Sequence, residues 1–123
     1  DLTPLDTKNV TDMHSIFYGC SGLTSLDLTP LDTQNVTDMY GMFYDCHSLA
    51  SLDLTPLDTS KVTDMTYMFA GCSGLTSLTT GTTLKFVGTD YELSGTWQNT
   101  AGETFTSGKF PFNVADTYTK ISS

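Results

Sequence analysis

Polar and apolar positions recur with a period of 26 residues through the first two-thirds of the chain. Three copies of one pattern occupy residues 1–26, 27–52 and 53–78, and each copy begins with the letters DLTPLDT. A fixed period of about 20 to 50 residues is typical of repeat architectures, in which each unit buries its apolar face against its neighbours. The repeat therefore predicts a solenoid of three stacked coils.

One short strand is predicted at each junction between copies. Leu26 and Leu28 alternate with polar neighbours, which is the two-residue period of a strand that buries one face. Pro30 follows two residues later and ends the strand, because proline has no backbone donor for a ladder hydrogen bond. The predicted strands lie near residues 25–28, 51–54 and 77–79, and they should pair in parallel.

One short helix is predicted after the turn in each copy. Apolar residues of the first copy are spaced 3, 4 and 3 positions apart, which marks one face of a helix: Val10, Met13, Phe17 and Cys20. Asn9 and Asn35 are suited to cap the first two helices, with Asp12 and Asp38 near their positive ends. The helices are predicted near residues 10–19, 36–45 and 62–71. The residues expected to be buried are Met13, Phe17, Cys20, Leu23, Leu26, Leu28 and their partners 26 and 52 positions on.

The repeat ends after Leu78, and residues 79–123 are predicted to form a small β-rich cap. Short alternating stretches separated by glycines are typical of strands and turns. A solenoid needs a terminal cap because its last coil otherwise exposes the core. Trp97 in this segment is interpreted as a packing residue, and stacking on a sugar is the alternative. The fold class predicted from the residues is thus an α/β solenoid with a parallel sheet and a C-terminal β cap.

Three cysteines occupy one repeat position, at residues 20, 46 and 72. We interpret them as small buried hydrophobes that are reduced and unreactive in the folded protein. A disulfide or a column of metal-binding thiols is the alternative. Three thiols cannot all pair, and neither a CxxC spacing nor a histidine cluster accompanies them, so the packing interpretation is favoured.

Composition and motifs exclude several classes of function. Five Lys and Arg residues against 14 acidic ones give a formal charge of −9, which argues against binding to nucleic acid or to an anionic membrane surface. No apolar run approaches the roughly 20 residues of a membrane span, so membrane insertion is not expected. His14 and His47 fall at different repeat positions and outside any catalytic motif, and both should be exposed. An enzyme, a cofactor and a resident metal are therefore not expected.

The chain has no initiator methionine and begins at a repeat boundary. We interpret it as a fragment of a longer protein, with further repeats or an N-terminal cap expected upstream.

Two columns of aspartates recur in the repeats. Asp6, Asp32 and Asp58 follow the strand in the turn, where a carboxylate usually accepts the backbone N–H two residues on. The second column, on the exposed strand face, contains Asp1, Asp27 and Asp53. A calcium ion bridging two acids of this second column is the alternative to plain exposure, since hard cations prefer oxygen ligands.

The polar face of the strands is the predicted working surface. Its short Ser, Asp and Thr side chains should form a flat strip that contacts a partner. The predicted partner-binding residues are Ser25, Asp27, Thr29, Ser51, Asp53, Thr55 and Ser77.

The motif LDLTPLDTxxVTDMxxMFxxCxxLxSL over residues 1–78 resembles the 26-residue repeat of the BspA-like leucine-rich-repeat surface proteins of bacteria. Ile16, Asp45 and His47 depart from it. The resemblance implies a right-handed leucine-rich-repeat solenoid on secreted or wall-anchored proteins, often adhesins. It places the chain outside the bacterial cell, bound to a host extracellular-matrix protein, a mucin or other glycan, or another cell's surface protein. A structural spacer and a weak calcium-dependent carbohydrate-binding module are the alternatives.

Overall fold

A computed structural model describes residues 10–122 of the chain, and five strands in that range form one sheet. The strands are β1 (Ser51–Asp53), β2 (Ser77–Thr80), β3 (Thr96–Gln98), β4 (Thr104–Phe105) and β5 (Asp116–Ser122). Their order across the sheet is β1-β2-β5-β3-β4, so the last strand of the chain inserts between β2 and β3. The described residues contain no helix that could cross a bilayer.

The sheet is mixed, and the prediction of a parallel sheet is wrong. Strands β1 and β2 pair in parallel, with Leu52 opposite Leu78, as the repeat period predicts. Strand β5 pairs antiparallel with β2, so that Tyr118 lies opposite Leu78, and β3 is antiparallel to both β5 and β4. The segment 25–28 is not a strand. The C-terminal strands therefore continue the sheet that the second and third repeats begin.

The predicted helices are also wrong, because residues 10–19, 36–45 and 62–71 form successive turns. Alternate N–H groups of the first copy donate to carbonyls of the second over 2.8–3.0 Å: Met13 to Asp38, Ser15 to Tyr40, Phe17 to Met42 and Gly19 to Tyr44. The N–H groups between them reach back three residues, as in Tyr18 to Ser15 at 3.0 Å. An α-helix would need every N–H to bond the carbonyl four residues back. Alternate backbone N–H groups therefore bond to the next copy instead of to their own segment, and no helix forms.

Left-handed residues at two repeat positions break the segment further. One position holds Ser15, Gly41 and Tyr67, with φ of 55°, 58° and 58°. The other, four residues on, holds Gly19, Asp45 and Gly71, with φ of 71°, 64° and 79°. A right-handed helix needs negative φ throughout, so a left-handed residue every four positions excludes it. The right-handed α/β solenoid of the leucine-rich-repeat type is therefore not the fold of the described residues.

The copies nevertheless stack in register. Parallel bridges join Asp12 to Asp38 and Asp38 to Asp64, each pair 26 residues apart. Behind these bridges Phe17, Phe43 and Phe69 form a column, with ring centroids 5.6 and 5.9 Å apart and nearly parallel planes. The 26-residue period thus places equivalent side chains on top of one another.

The C-terminal segment extends this core. Tyr91 meets Phe69 edge-on at 6.3 Å, and it stacks on Phe86 at 4.9 Å. Trp97 has none of its surface exposed, and its Nε1–H donates to the carbonyl of Ser94 over 3.0 Å. The interpretation of Trp97 as a packing residue is confirmed, and its alternative role as a sugar platform is wrong.

Most of the predicted core is buried, with exceptions in the first copy. Met13, Phe17 and Leu28 are at most 6% exposed. Leu23, however, is 38% exposed, whereas its partners Leu49 and Leu75 are fully buried. Leu26 and Cys20 are half-buried. The side of the first copy that faces away from the second is therefore open, with a cleft of about 540 Å³ lined by Phe17, Cys20, Leu23, Ser25, Leu26, Asp27 and Pro30.

Candidate recognition surface

A row of polar residues crosses all five strands on one face of the sheet. Its members are paired from strand to strand across the sheet: Ser51 with Ser77, Ser77 with Thr119, Thr119 with Gln98 and Gln98 with Thr104. A second, shorter row joins Asp53, Thr79 and Thr117. Directly paired residues project from the same face of a sheet, so these side chains lie side by side. We call this surface, made of the two rows, the polar sheet face.

The opposite face of the sheet is buried against the core. Leu52, Leu78, Tyr118 and Trp97 alternate with the polar residues and are at most 2% exposed. The members of the two rows are exposed or half-buried. Alternation along each strand therefore separates an apolar inner surface from a polar outer one.

The predicted strip is only partly contained in this face. Ser51, Asp53 and Ser77 belong to the two rows. Asp27 and Thr29 are exposed but lie outside a strand, as do Ser25 and Thr55. Ser25 stays near the sheet because the N–H of Ala50 donates to the carbonyl of Thr24 over 3.2 Å. Sequence reasoning missed Thr117, Thr119, Gln98 and Thr104, because their strands lie outside the repeats and nothing local indicates their partners.

The two strand-face aspartates that the structure describes are held in turns. The Oδ1 of Asp27 accepts the backbone N–H of Thr29 at 3.0 Å and its hydroxyl at 2.7 Å. These two bonds, the backbone one first, lower the pKa of Asp27 below its usual range. Asp53 accepts the N–H of Thr55 at 2.9 Å. Both acids are therefore fixed, exposed negative charges at the edge of the polar sheet face.

The turn column behaves as predicted where it is described. Asp32 accepts the N–H of Gln34 at 3.2 Å, and Asp58 accepts that of Ser60 at 3.0 Å. Asp6 and Asp1 lie outside the described residues, as does Asn9, which was predicted to cap the first helix. The other predicted cap, Asn35, has no helix to cap.

Asp12, His14 and Asp38 form the one group of three potential metal ligands among residues 10–122, with ligand atoms within 4.8 Å of one another. The Nδ1 of His14 lies 2.6 Å from the Oδ1 of Asp12. This hydrogen bond is the main cause that raises the pKa of His14. The pKa of Asp12 is lowered mainly by the backbone N–H of His14, which donates to the same Oδ1 over 2.9 Å, and then by the side-chain bond. Both side chains are more than half exposed, and His47 is exposed as well, so the prediction of exposed histidines is confirmed. The arrangement is a surface ion pair between His14 and Asp12 that a second acid, Asp38, reinforces.

Residues 1–92 match the protein family described as "Mycoplasma protein of unknown function, DUF285". The chain belongs to the DUF285 family. The match covers all three repeats and the first part of the segment that follows them. None of the curated proteins or solved structures compared with the chain matches it.

The thiols of this DUF285 protein are packing groups. Cys46 and Cys72 are buried and Cys20 is half-buried, and all three are free, so the disulfide alternative is wrong. The Sγ–H of Cys46 donates to the carbonyl of Phe17 over 3.0 Å, and that of Cys72 donates to Phe43 over 3.1 Å. Burial raises the pKa of Cys46 to about 11 and that of Cys72 to about 12. Neither buried thiol is therefore poised as a nucleophile or metal ligand.

Four tyrosines form a surface cluster that the sequence did not indicate. Tyr18 stacks on Tyr44 with ring centroids 5.1 Å apart and planes 13° apart. Tyr67 meets Tyr44 edge-on at 6.3 Å and Tyr40 edge-on at 5.8 Å. We call these four rings the tyrosine platform. Tyr18 and Tyr44 share one repeat position, whereas Tyr40 and Tyr67 occupy two others, so the aligned copies do not show all four as one group.

Proposed function

We propose that this DUF285 protein is a non-catalytic recognition module that binds a partner macromolecule on its polar sheet face. The observation that carries the proposal is the row of five polar residues, Ser51, Ser77, Thr119, Gln98 and Thr104, one on each strand. Short polar side chains on paired strands lose little conformational entropy when a partner covers them.

The shape of this face favours a protein or a glycan over a small molecule. Small-molecule sites are concave and mostly apolar, with a few convergent polar groups. The polar sheet face is instead an exposed sheet surface, and its Thr, Ser and Gln side chains offer hydroxyl and amide groups that both donate and accept hydrogen bonds. A protein surface or a polysaccharide presents a matching array of polar groups.

The charge of the protein further restricts the class of partner. The chain carries a formal charge of −9, and Asp27 and Asp53 fix two negative charges beside the polar sheet face. A partner with a basic or glycosylated surface is therefore favoured, and added salt should weaken its binding. We propose a host extracellular-matrix protein, a mucin, or another cell's surface protein as this partner. The resemblance of the repeat to bacterial surface proteins supports a position outside the cell.

Binding of matrix proteins and mucins to the immobilised chain tests the proposal, with an Asp27→Lys/Asp53→Lys variant beside the wild type. The matched control is Asp32→Lys/Asp58→Lys. It makes the same change in net charge and removes the same kind of turn hydrogen bond, but away from the strand face. Wild type and control should bind alike, and the Asp27/Asp53 variant should bind at least about tenfold more weakly, since like charges across an interface are costly.

The alternatives give different results. A spacer would bind none of the partners. The number of repeats, rather than the identity of the surface residues, would then determine how the protein functions. A calcium-dependent carbohydrate site would lose binding in a chelator. Equal loss of binding in both lysine variants would show that only overall charge matters. Each of these results contradicts recognition by the polar sheet face.

A further inference from the structure

The tyrosine platform lies apart from the polar sheet face, on the turn segments that stack beside the parallel aspartate bridges. It contains one ring from the first copy, two from the second and one from the third. Tyr18 is 60% exposed, Tyr40 38% and Tyr67 40%. Tyrosine concentrates at binding hot spots because its large ring contributes contact area at low entropic cost. Packing of the core does not explain rings that remain in water.

Backbone hydrogen bonds hold the segments that carry the platform. The N–H of Gly19 donates to the carbonyl of Tyr44 over 2.9 Å, and the N–H of Tyr67 donates to the carbonyl of Asp90 over 2.8 Å. Tyr67 occupies a left-handed position that the second copy fills with Gly41. Large side chains rarely adopt this conformation, which glycine adopts freely. The third copy therefore keeps a tyrosine where the backbone favours glycine, and that ring joins Tyr44 to Tyr40.

Acidic residues lie next to the backbone of three of the four tyrosines. The N–H of Tyr40 donates to the Oδ1 of Asp38 over 2.9 Å. Asp45 follows Tyr44 directly in the chain and is exposed, and the exposed Asp90 accepts the N–H of Tyr67 through its carbonyl. A surface that combines exposed aromatic rings with neighbouring acidic residues favours a cation, because both attract it.

We propose that the tyrosine platform binds a cationic segment of a partner protein, with arginine or lysine side chains over the rings and the adjoining aspartates as counter-charges. A cation within about 6 Å of a ring centroid is held by the ring's quadrupole. Within residues 10–122 one such contact is present, where the Nζ of Lys85 lies 5.9 Å from the centroid of Phe112. A planar guanidinium also stacks on an aromatic face, so arginine should bind more tightly than lysine.

Calorimetric titration with an acetylated, amidated peptide of four Gly-Arg repeats tests this proposal. Peptides of four Gly-Lys and four Gly-Gln repeats are compared with it. The arginine peptide should bind most tightly and the glutamine peptide should not bind. The variant Tyr18→Leu/Tyr40→Leu should weaken binding of the arginine peptide about tenfold, since two cation–π contacts are lost. Net charge is unchanged in this variant, so general attraction to a polycation remains.

Matched variants separate the platform from other effects. Tyr18→Phe/Tyr40→Phe keeps the rings and should retain most of the affinity. Phe112 is 52% exposed and lies outside the platform, so Phe112→Leu should leave the affinity for the arginine peptide unchanged. Asp45→Asn removes one negative charge, and asparagine tolerates the φ of 64° at this position. This variant should weaken binding more than Asp58→Asn, which removes one negative charge away from the platform. Unchanged thermal unfolding confirms that each variant is folded.

Three results would overturn the proposal. If the leucine variant bound the arginine peptide as tightly as the wild type does, net charge alone would account for the interaction. Equal binding of the glutamine and arginine peptides would exclude a cation-selective site. Binding of a neutral oligosaccharide instead of the arginine peptide, lost in the leucine variant, would make the platform a sugar site.

Discussion

The thiol of Cys72 donates a hydrogen bond to the carbonyl of Phe43, 29 residues earlier, over 3.1 Å. Cys46 repeats the contact with Phe17 over 3.0 Å. Cysteine suits this position because it is a small hydrophobe that is also a weak donor. It packs between copies and gives a second hydrogen bond to a carbonyl that already accepts a backbone N–H, that of Cys20 at Phe17 and that of Cys46 at Phe43. One residue type thus contributes both packing and register.

The three thiols should react in a fixed order. Cys20 is half-buried, whereas Cys46 and Cys72 are at most 5% exposed and their pKa values are raised to about 11 and about 12. Because the thiolate is the reactive form, a maleimide at pH 7.5 should label Cys20 first. The other two should react only as fast as the protein unfolds. Peptide mass mapping of partly labelled protein measures this order, and early labelling of Cys72 would contradict it.

Stability should fall as the solution becomes alkaline. The folded state holds the thiol protons more tightly than the unfolded state, whose cysteines titrate near 9.0. The stabilisation is therefore complete below about pH 9 and is lost as pH rises toward 11 and 12. Each thiol contributes a slope of about 1.4 kcal/mol per pH unit in that window. Urea unfolding at pH 7, 9 and 10 measures the slope.

The variant Cys46→Ala/Cys72→Ala is the control for this pH dependence. It should be less stable at pH 7 but should lose little more between pH 9 and 10. Burial also raises the pKa values of Tyr91 and Tyr118, so the variant should begin to lose stability only at higher pH. If the free energy of unfolding fell equally with pH in the variant and the wild type, the thiols would not be the cause of the pH dependence.

A pair of glycines at one repeat position separates backbone strain from crowding. Gly19 and Gly71 have φ of 71° and 79°. A Cβ on Gly19 would meet nothing within 4 Å, whereas one on Gly71 would lie 2.9 Å from the Cα of Asp45. Gly19→Ala should cost about 1 kcal/mol for its left-handed conformation. Gly71→Ala should cost roughly 1–3 kcal/mol more, because the backbone of the second copy must shift. Thermal and urea unfolding of the two variants measure this difference.

These glycines also show why the sequence mispredicted the helices. The spacing of Val10, Met13, Phe17 and Cys20 fits one face of a helix, but it fits a chain of turns equally well. The distinguishing signal is the Gly or Asp at residues 19, 45 and 71, since these residue types tolerate positive φ. The strands β1 and β2 were predictable because Leu52 and Leu78 alternate with polar neighbours. The position of β5 beside β2 was not, because antiparallel pairing across 38 residues leaves no local pattern.

The histidine of the surface ion pair should report on its neighbouring acids. The hydrogen bond that His14 donates to Asp12 is the largest cause that raises the pKa of His14 above 6.5, and the negative charges of Asp12 and Asp38 raise it further. Asp12→Asn should therefore lower the pKa of His14, and Asp38→Asn should lower it less. NMR titration of the imidazole protons measures both shifts. The ion pair stabilises the fold below about pH 6.5, and this contribution is lost as pH rises through the raised pKa. A larger effect of Asp38→Asn would mean that the Asp12 contact is not formed in solution.

Two buried threonines test how the copies are held together. The hydroxyl of Thr33 donates to the carbonyl of Asp58 over 3.0 Å and accepts its N–H at 2.7 Å. Thr59 does the same with Lys85, at 2.9 and 2.6 Å. Each hydroxyl therefore pairs both backbone groups of a residue 25 or 26 positions later, at a site where the threonine is 1% exposed.

The substitution Thr59→Val keeps the shape of the side chain and removes the hydroxyl, so two backbone groups lose their partner. It should destabilise the protein by about 1–3 kcal/mol. Thr59→Ser keeps the hydroxyl and removes one methyl group, so it should cost about 1 kcal/mol, the transfer energy of that group. Urea unfolding of both variants, and of the corresponding pair at Thr33, measures the difference. If serine were the more damaging substitution at both positions, methyl packing rather than hydrogen bonding would hold the copies in register.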